Sequence, residues 1–310
     1  MTKALPTEGD PAGTTSASAA AVAAAGEPTV TTIGNWSEIR RRFMANRLAV
    51  FGLVLVALLF LTALLAPLLA PYDPMAQDLN NTLAPPSSEH LLGTDTLGRD
   101  QLSRLIYGSR IAVMVGLASM ALATLIGITL GALAGYFGRA WDSVIMRTAD
   151  VFFAFPLLIG AIVIILVLGR GVLPVVVSIA VFTWATVARL LRSSILSVRE
   201  MDYVQAARAL GAGTWRIITR HILPNSLAPV IVYSTFSVGT AIVAEASLSF
   251  LGVGVPPDVP EWGNMIDVGR EFVGYKDYLW AFPSLALVLT VLGFVFVGDG
   301  MRDSLDPKLR

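Results

Sequence analysis

Apolar residues in this chain fall in long unbroken runs parted by short polar segments, not in the alternating or one-in-three-or-four patterns of soluble strands and helices. A hydrocarbon layer about 30 Å thick takes about 20 mostly apolar residues in a helix. Six stretches meet or approach that length: 48–70, 111–137, 151–169, 172–191, 227–251 and 279–298. Charge or Gly/Pro breakers bound each of them. Only Arg170 and Gly171 separate the third from the fourth, which makes that pair a tight helical hairpin. The pattern predicts an all-α integral membrane protein with six transmembrane helices and both termini on one side. Pro156, Pro174 and Pro283 are candidate kinks, because each removes a backbone donor.

Three segments between spans are long enough to carry function: 71–110, 192–226 and 252–278. Each is too short for an independent core, so each is expected to lie against the spans. Residues 1–35 are Ala, Thr, Ser, Gly and Pro with few large side chains, and read as a disordered cytoplasmic tail. A basic pre-helix at 36–47 leads into the membrane domain, 48–310. Lys and Arg gather on cytoplasmic faces. With the N-terminus inside, only Arg99, Arg104, Arg110, Arg170, Arg270 and Lys276 of the 22 basic residues fall outside. The count predicts an N-in/C-in orientation, with 1–47, 138–150, 192–226 and 299–310 cytoplasmic and Arg40, Arg41 and Arg42 as the inner anchor.

Composition narrows the chemistry. The 310 residues are 55% hydrophobic and 14% charged, against about 25% charged in soluble domains, and mean hydropathy is +0.70. Most soluble enzymes are excluded. Twenty-two basic residues balance 22 acidic ones, so there is no electrostatic footprint for nucleic acid. With no Cys and two His, disulfides, thiolate chemistry and Cys/His zinc sites are excluded, and no metal site is expected. A phosphate-binding loop needs Gly-Lys-Ser/Thr; Lys3, Lys276 and Lys308 all lack the preceding Gly. The chain therefore carries no such loop of its own, and no catalytic residues are assigned.

The segment 192–226 is the most informative. Asp202 followed by Gln205 has the form of a capping box, and Gly211 stands where a left-handed C-terminal cap is needed. Tyr203, Ala206, Ala207 and Leu210 fall on one helical face, with small residues at its middle. A second helix is expected to begin after Thr214 and stop near Pro224, with Trp215, Ile217 and Ile218 as its apolar positions. Periodicity alone leaves two readings open: a hairpin packed on its own spans, or a docking surface for a partner. The order Gln205-Ala206-Ala207, Gly211, then His221-Ile222-Leu223-Pro224 resembles the EAA loop of permease subunits of bacterial ABC importers. Gln205 stands where Glu is usual in that loop, and His221 where an aliphatic residue is usual.

The resemblance extends to about residues 37–310. His90-Leu91-Leu92-Gly93-Thr94-Asp95, Leu97-Gly98-Arg99-Asp100, Ser103-Arg104 and Gly108-Ser109-Arg110 are similar to the stretch after the first span in C-type subunits of dipeptide/oligopeptide permeases. Glu245-Ala246-Ser247-Leu248-Ser249-Phe250-Leu251-Gly252 and Trp262-Gly263 resemble the exit of the fifth span in the same group. The resemblance implies an ABC importer permease fold with a cytoplasmic coupling-helix loop, multi-pass in the bacterial inner membrane. It implies a heterodimer with a second permease, two cytoplasmic ATPase subunits, and an extracytoplasmic binding protein that delivers peptide. The ATPases would dock on Asp202, Tyr203, Gln205, Ala206, Ala207, Arg208, Leu210, Gly211, Trp215, Leu223 and Pro224. Gly93, Thr94, Asp95, Gly98, Arg99 and Asp100 mark the candidate extracytoplasmic segment. Dipeptides or oligopeptides are the implied substrates, with nickel chelate, glutathione or haem as the alternatives within the family.

Glu245 lies inside the fifth span, where an ionisable side chain costs about 2.5 kcal/mol or more unless it faces the bundle interior or a wet cavity. It is therefore a candidate for the translocation path together with Ser247 and Ser249, or else a structural hydrogen-bonding group. Gly127, Gly131 and Gly135 form a smooth ridge for close backbone approach, within the subunit or against a partner. The competing function is a secondary transporter or channel without ATPase partners. That needs coupling-ion groups near the midplane in repeated halves, and the chain has one deep acid and no repeat.

Overall fold

A computed structural model describes residues 36–305; the tail expected at 1–35, and Lys308 and Arg310, lie outside the described residues. The first helix, α1 (Trp36–Ala45), carries Arg40, Arg41 and Arg42, and Arg42 pairs with Glu38 one turn earlier at 2.7 Å. Asn46 breaks the chain and caps α2 (Arg47–Leu69), its side chain accepting from the amides of Leu48 and Ala49 at 3.0 and 3.2 Å. At 1.5 Å per residue α2 is about 34 Å long, enough to cross a bilayer.

The second span, α3, runs Gln101–Phe137 and so begins well before the expected residue 111. Arg104 and Arg110 interrupt the apolar run, but they do not interrupt the helix. Asp100 caps it by accepting from the Ser103 amide at 2.7 Å, and its first turns are buried in protein, with Arg104 only 2% exposed.

The third span expected at 151–169, with Pro156 as a candidate kink, is a broken one. Helix α4 (Arg139–Ala154) and α5 (Leu157–Leu168) meet at 94°. Pro156 has no N–H for a continuing helix and forces the preceding residue out of helical space; Phe155 accordingly sits at φ −102°, ψ 132°. Alone, α5 is about 18 Å long and too short to cross. Asp142 of α4 forms a two-point ion pair with Arg192, which ties the bent unit to α6 (Val172–Val198). The tight turn before α6 is as expected, with Gly169 and Gly171 at φ 89° and 146°. Pro174 falls in the first turn of α6, where a missing donor matters least, and produces no break.

After α6 come α7 (Asp202–Ala209) and a short helical run over 214–226. Then follow α8 (Ala228–Phe250), the short α9 (Trp262–Arg270) and α10 (Tyr278–Leu305), which continues through Pro283. Among the described residues five helices are long and apolar enough to cross a membrane, or six if α4 and α5 count as one bent span. The spans alternate in direction. Segments 70–100 and 251–277 therefore share one end with the α5–α6 turn, where Gly171 donates to the Gly254 carbonyl at 3.3 Å, and 199–227 lies at the other.

The glycine ridge of α3 packs inside the subunit. A methyl group on Gly131 would lie 2.6 Å from the Ala188 carbonyl, and one on Gly127 2.5 Å from Val187, so α3 and α6 meet backbone to backbone. Leu64, Leu68, Leu166 and Val167 on α2 and α5 are instead largely exposed, an apolar surface of the kind that meets lipid or another membrane subunit.

Candidate functional site

The loop at 199–227 builds a small platform. Helix α7 starts one residue earlier than a capping box requires. Met201 is the cap, it makes no side-chain capping bond, and Asp202 is the first helical residue. The expected reciprocal bond between Asp202 and Gln205 is therefore absent, and Asp202 acts at most through its charge near the helix N-terminus. The other end is as expected. Gly211 adopts φ 80°, with its amide on the Arg208 carbonyl at 2.9 Å and the Ala212 amide on the Ala207 carbonyl at 3.1 Å. That double closure is the Schellman arrangement.

The face of α7 divides differently from its expected stripe. Val204 is fully buried, with Tyr203 and Ala207 half-buried beside it, whereas Asp202, Gln205, Ala206, Arg208 and Leu210 point outward. Tyr203 donates to the His221 carbonyl at 3.4 Å, and burial raises its phenol above the ordinary value. Arg208 lies over the Tyr136 ring at 5.9 Å.

The following run does begin at Thr214, but it does not stop at Pro224. Its middle, Ile217–Ile222, widens to π-helical spacing, and the Leu223 amide reaches back to the Ile218 carbonyl. Pro224 cannot donate, and the Asn225 side chain supplies a bond to the His221 carbonyl at 2.7 Å. A wider turn thus absorbs the proline that was expected to end the helix. Ile217, Ile218 and Ile222 anchor the run in the subunit, Leu223 is half-buried and Pro224 exposed. Leu210 and Trp215 project from the platform, 88% and 76% exposed.

At the opposite end the candidate extracytoplasmic residues come together as a buried clasp. Asp95 accepts from the Leu97 and Arg99 amides at 2.9 and 3.0 Å and from the Arg99 guanidinium at 2.7 Å, with Arg104 Nε at 3.8 Å. Thr94 bridges to Asp100, and the His90 ring nitrogen contacts Asp100 at 2.9 Å. Gly93 and Gly98 make the two turns at φ 77° and 71°. Arg104, quoted in the sequence only as part of a motif, joins distant segments by donating to the Pro74, Asp258 and Pro257 carbonyls.

Glu245 and Ser249 are inside the subunit, 1% and 0% exposed, and Ser247 is the partly exposed one of the three candidate path residues. Ser249 donates to Glu245 at 3.1 Å. Beside them lies Glu261, a buried acid that sequence reasoning passed over because it sits in a polar linker, not in an apolar run. Also unforeseen are Asp299 and Arg302, which with Tyr233 and Phe236 line an open groove of about 630 Å³ near the platform.

Comparison with known proteins agrees with this architecture. Residues 127–310 match the family described as binding-protein-dependent transport system inner membrane component, and residues 34–86 match the N-terminal TM domain of oligopeptide transport permease C. The chain is 41% identical over 284 residues to the dipeptide transport system permease protein of Alkalihalophilus pseudofirmus, covering 92% of this chain and 93% of that one. It is 43% identical to the glutathione transport system permease protein of Pectobacterium atrosepticum, covering 89% and 92% of the two chains. With the oligopeptide transport system permease protein of Bacillus subtilis the identity is 39%, covering 89% and 90%. Among solved structures, a chain of the inward-facing MetNI methionine ABC transporter superposes with a TM-score of 0.53 at 18% identity, covering 66% of this chain and 97% of that chain. That last likeness concerns the fold alone. Bundle, platform and sequence agree: the chain belongs to the family of binding-protein-dependent transport permeases of the bacterial inner membrane, as a C-type subunit.

Proposed function

We propose that this permease subunit imports peptides, di- or oligopeptides, as one half of a heterodimeric pore. Membership of an ABC permease family sets aside the secondary transporter or channel, and a permease subunit of this kind performs no catalytic step itself. The substrate reading draws on the relatives named for dipeptide and oligopeptide transport; the glutathione-named relative keeps a γ-linked peptide as the second candidate. Two ATPases, carrying ATP and Mg, would dock on the platform, and a binding protein would deliver peptide at the clasp end.

One observation carries the coupling role. Leu210 and Trp215 stand 88% and 76% exposed on a loop whose Val204, Ile217, Ile218 and Ile222 are buried, and large apolar groups held out in this way mark a surface completed by another chain. Asp202, Gln205, Ala206 and Arg208 would surround that contact, while Tyr203, Ala207, Gly211, Leu223 and Pro224 shape it. Of the candidate path residues, Ser247 retains the exposure a pathway needs. Purification in mild detergent tests the assembly: a second permease and an ATPase pair should accompany this chain, and recovery of the chain alone from an active membrane would defeat the proposal.

Orientation follows from the charge count, with the platform cytoplasmic and both termini inside. The chain has no native Cys, so single engineered thiols report topology. Ser87 and Glu271 are exposed at the clasp end, and thiols at positions 87 and 271 should react with an impermeant reagent from the extracytoplasmic side. Position 261 is unsuitable because Glu261 is buried. Labelling of 87 and 271 only from the cytoplasmic side would invert the topology.

A further inference from the structure

Helix α9 is docked on the end of α8 through its first turn. A methyl group on Gly263 would lie 2.1 Å from the Ala246 carbonyl, so the two backbones touch. That contact brings the α9 cap, Glu261, beside Glu245. Glu261 accepts from the Gly263 amide with one oxygen and from the Asn264 amide at 2.8 Å with the other. Glu245 accepts from the Ser249 hydroxyl at 3.1 Å, and that hydroxyl accepts in turn from the Val255 amide at 3.0 Å. The two carboxyl groups are within hydrogen-bonding reach of each other, and each residue is 1% exposed.

Ionised carboxylates only accept hydrogen bonds, so two of them in contact need a proton or a cation between them. Among the described residues no ion pair joins a cation to either carboxyl group. Arg104 of α3 is near enough to Glu261 to interact with it electrostatically, but its guanidinium donates to the Pro74, Asp258 and Pro257 carbonyls and lies 3.8 Å from Asp95. On α9 itself, Arg270 pairs with Asp267 at 3.0 Å. Before α10, Lys276 donates to the Leu83 carbonyl, and Asp277 accepts from the Gly274 amide and the Trp280 indole. Asp258 in the linker adds only negative charge, and α5 and the membrane part of α6 carry no charged residue. We infer that Glu245 and Glu261 share a proton and form a proton-dependent clamp that positions α9 on the exit of the fifth span.

The clamp reaches further than two residues. Trp262, next to Glu261, donates its indole N–H to the Leu105 carbonyl at 3.0 Å and lies against Gly108, so α9 bridges α8 and α3. Losing the shared proton leaves two buried like charges in contact, and separating α9 from α8 relieves them. Burial pushes the Glu261 carboxyl up to about 7, against the pull of its two amide bonds. The sign follows: a carboxyl raised by docking stabilises the docked state fully below the ordinary value of 4.5, and that contribution is lost as pH rises through about 7.

The inference is independent of substrate, and its test is read without transport or ATP turnover. In the full complex, a thiol is placed at position 265 by Met265→Cys, on the buried side of α9 where Met265 is 5% exposed. An exposed reference thiol at position 271 corrects for thiol ionisation. Between about pH 6 and about pH 9 the labelling rate at 265 relative to 271 should rise about tenfold or more. In the Glu245→Gln background the ratio should stay flat, because an amide donates to Glu261 without a titratable proton. Glu261→Gln should flatten it likewise, and serves if Glu245→Gln fails to assemble. A flat ratio in the native background, or a rise that persists in the Gln variants, would overturn the clamp.

Discussion

Gly211→Val and Ala206→Glu are expected to abolish the stimulation of ATP hydrolysis by loaded binding protein while leaving the two permeases paired. The two variants act by different means. Gly211 holds φ 80° with open space around its Cα, so valine meets no neighbour and the penalty is conformational, about 1–2 kcal/mol for a left-handed β-branched residue. A shift of that size lowers the population of a closed helix end by about 5–30-fold. Ala206→Glu leaves the cap alone and puts charge on the outward face of α7, beside Leu210. Ala207 is the poorer choice despite its neighbouring position, because it is half-buried against the subunit and its replacement would disturb the platform itself. Work passes between an ATPase and a permease only through contacts that differ between states. The measurement is ATP turnover in proteoliposomes with and without loaded binding protein. Native stimulation in both variants would reduce the platform to a hairpin.

The membrane architecture was legible because lipid imposes a blunt rule: a spanning helix needs a long apolar run, and the runs around 48–70 and 172–191 show it directly. Where the rule fails, the cause is local. Arg104 sits inside a continuous helix since carbonyls of three distant residues and Asp95 solvate it, and no window of hydropathy records a partner so far away in sequence. Pro156 was recognised as a possible kink, yet the 94° turn depends on Phe155 leaving helical space as well. The platform was located by spacing, but its inward and outward faces were not. Val204 is swallowed by a neighbouring apolar cluster that only the tertiary fold assembles. Glu245 was singled out by its depth in an apolar run, and Glu261 was missed because its burial comes from α9 docking through Gly263 on Ala246 of α8, a contact invisible along the chain.

Asp95→Ala is expected to have the largest effect on stability. Its carboxylate closes the clasp by four contacts: the Leu97 and Arg99 amides, the Arg99 guanidinium at 2.7 Å and, at 3.8 Å, that of Arg104. Arg99 and Arg104 are 6% and 2% exposed, so neither can turn to water when the anion is removed. Breaking a buried pair from one side leaves an uncompensated charge and costs about 3–5 kcal/mol. The damage spreads, because the Asp95 backbone also holds Leu83 at 2.9 Å and Arg104 tethers Pro74 and the linker before α9. Asp95→Asn keeps an oxygen for the two amides while removing the charge, so it should fall between alanine and the native chain. Complex yield in mild detergent and the thermal unfolding midpoint of the purified complex give the readout. The platform lies at the other end of the bundle, so whatever complex survives should still show basal ATP turnover per assembled unit. A native midpoint for Asp95→Ala would mean that water reaches Arg99 and Arg104 after all, and that carbonyl bonds alone hold the clasp.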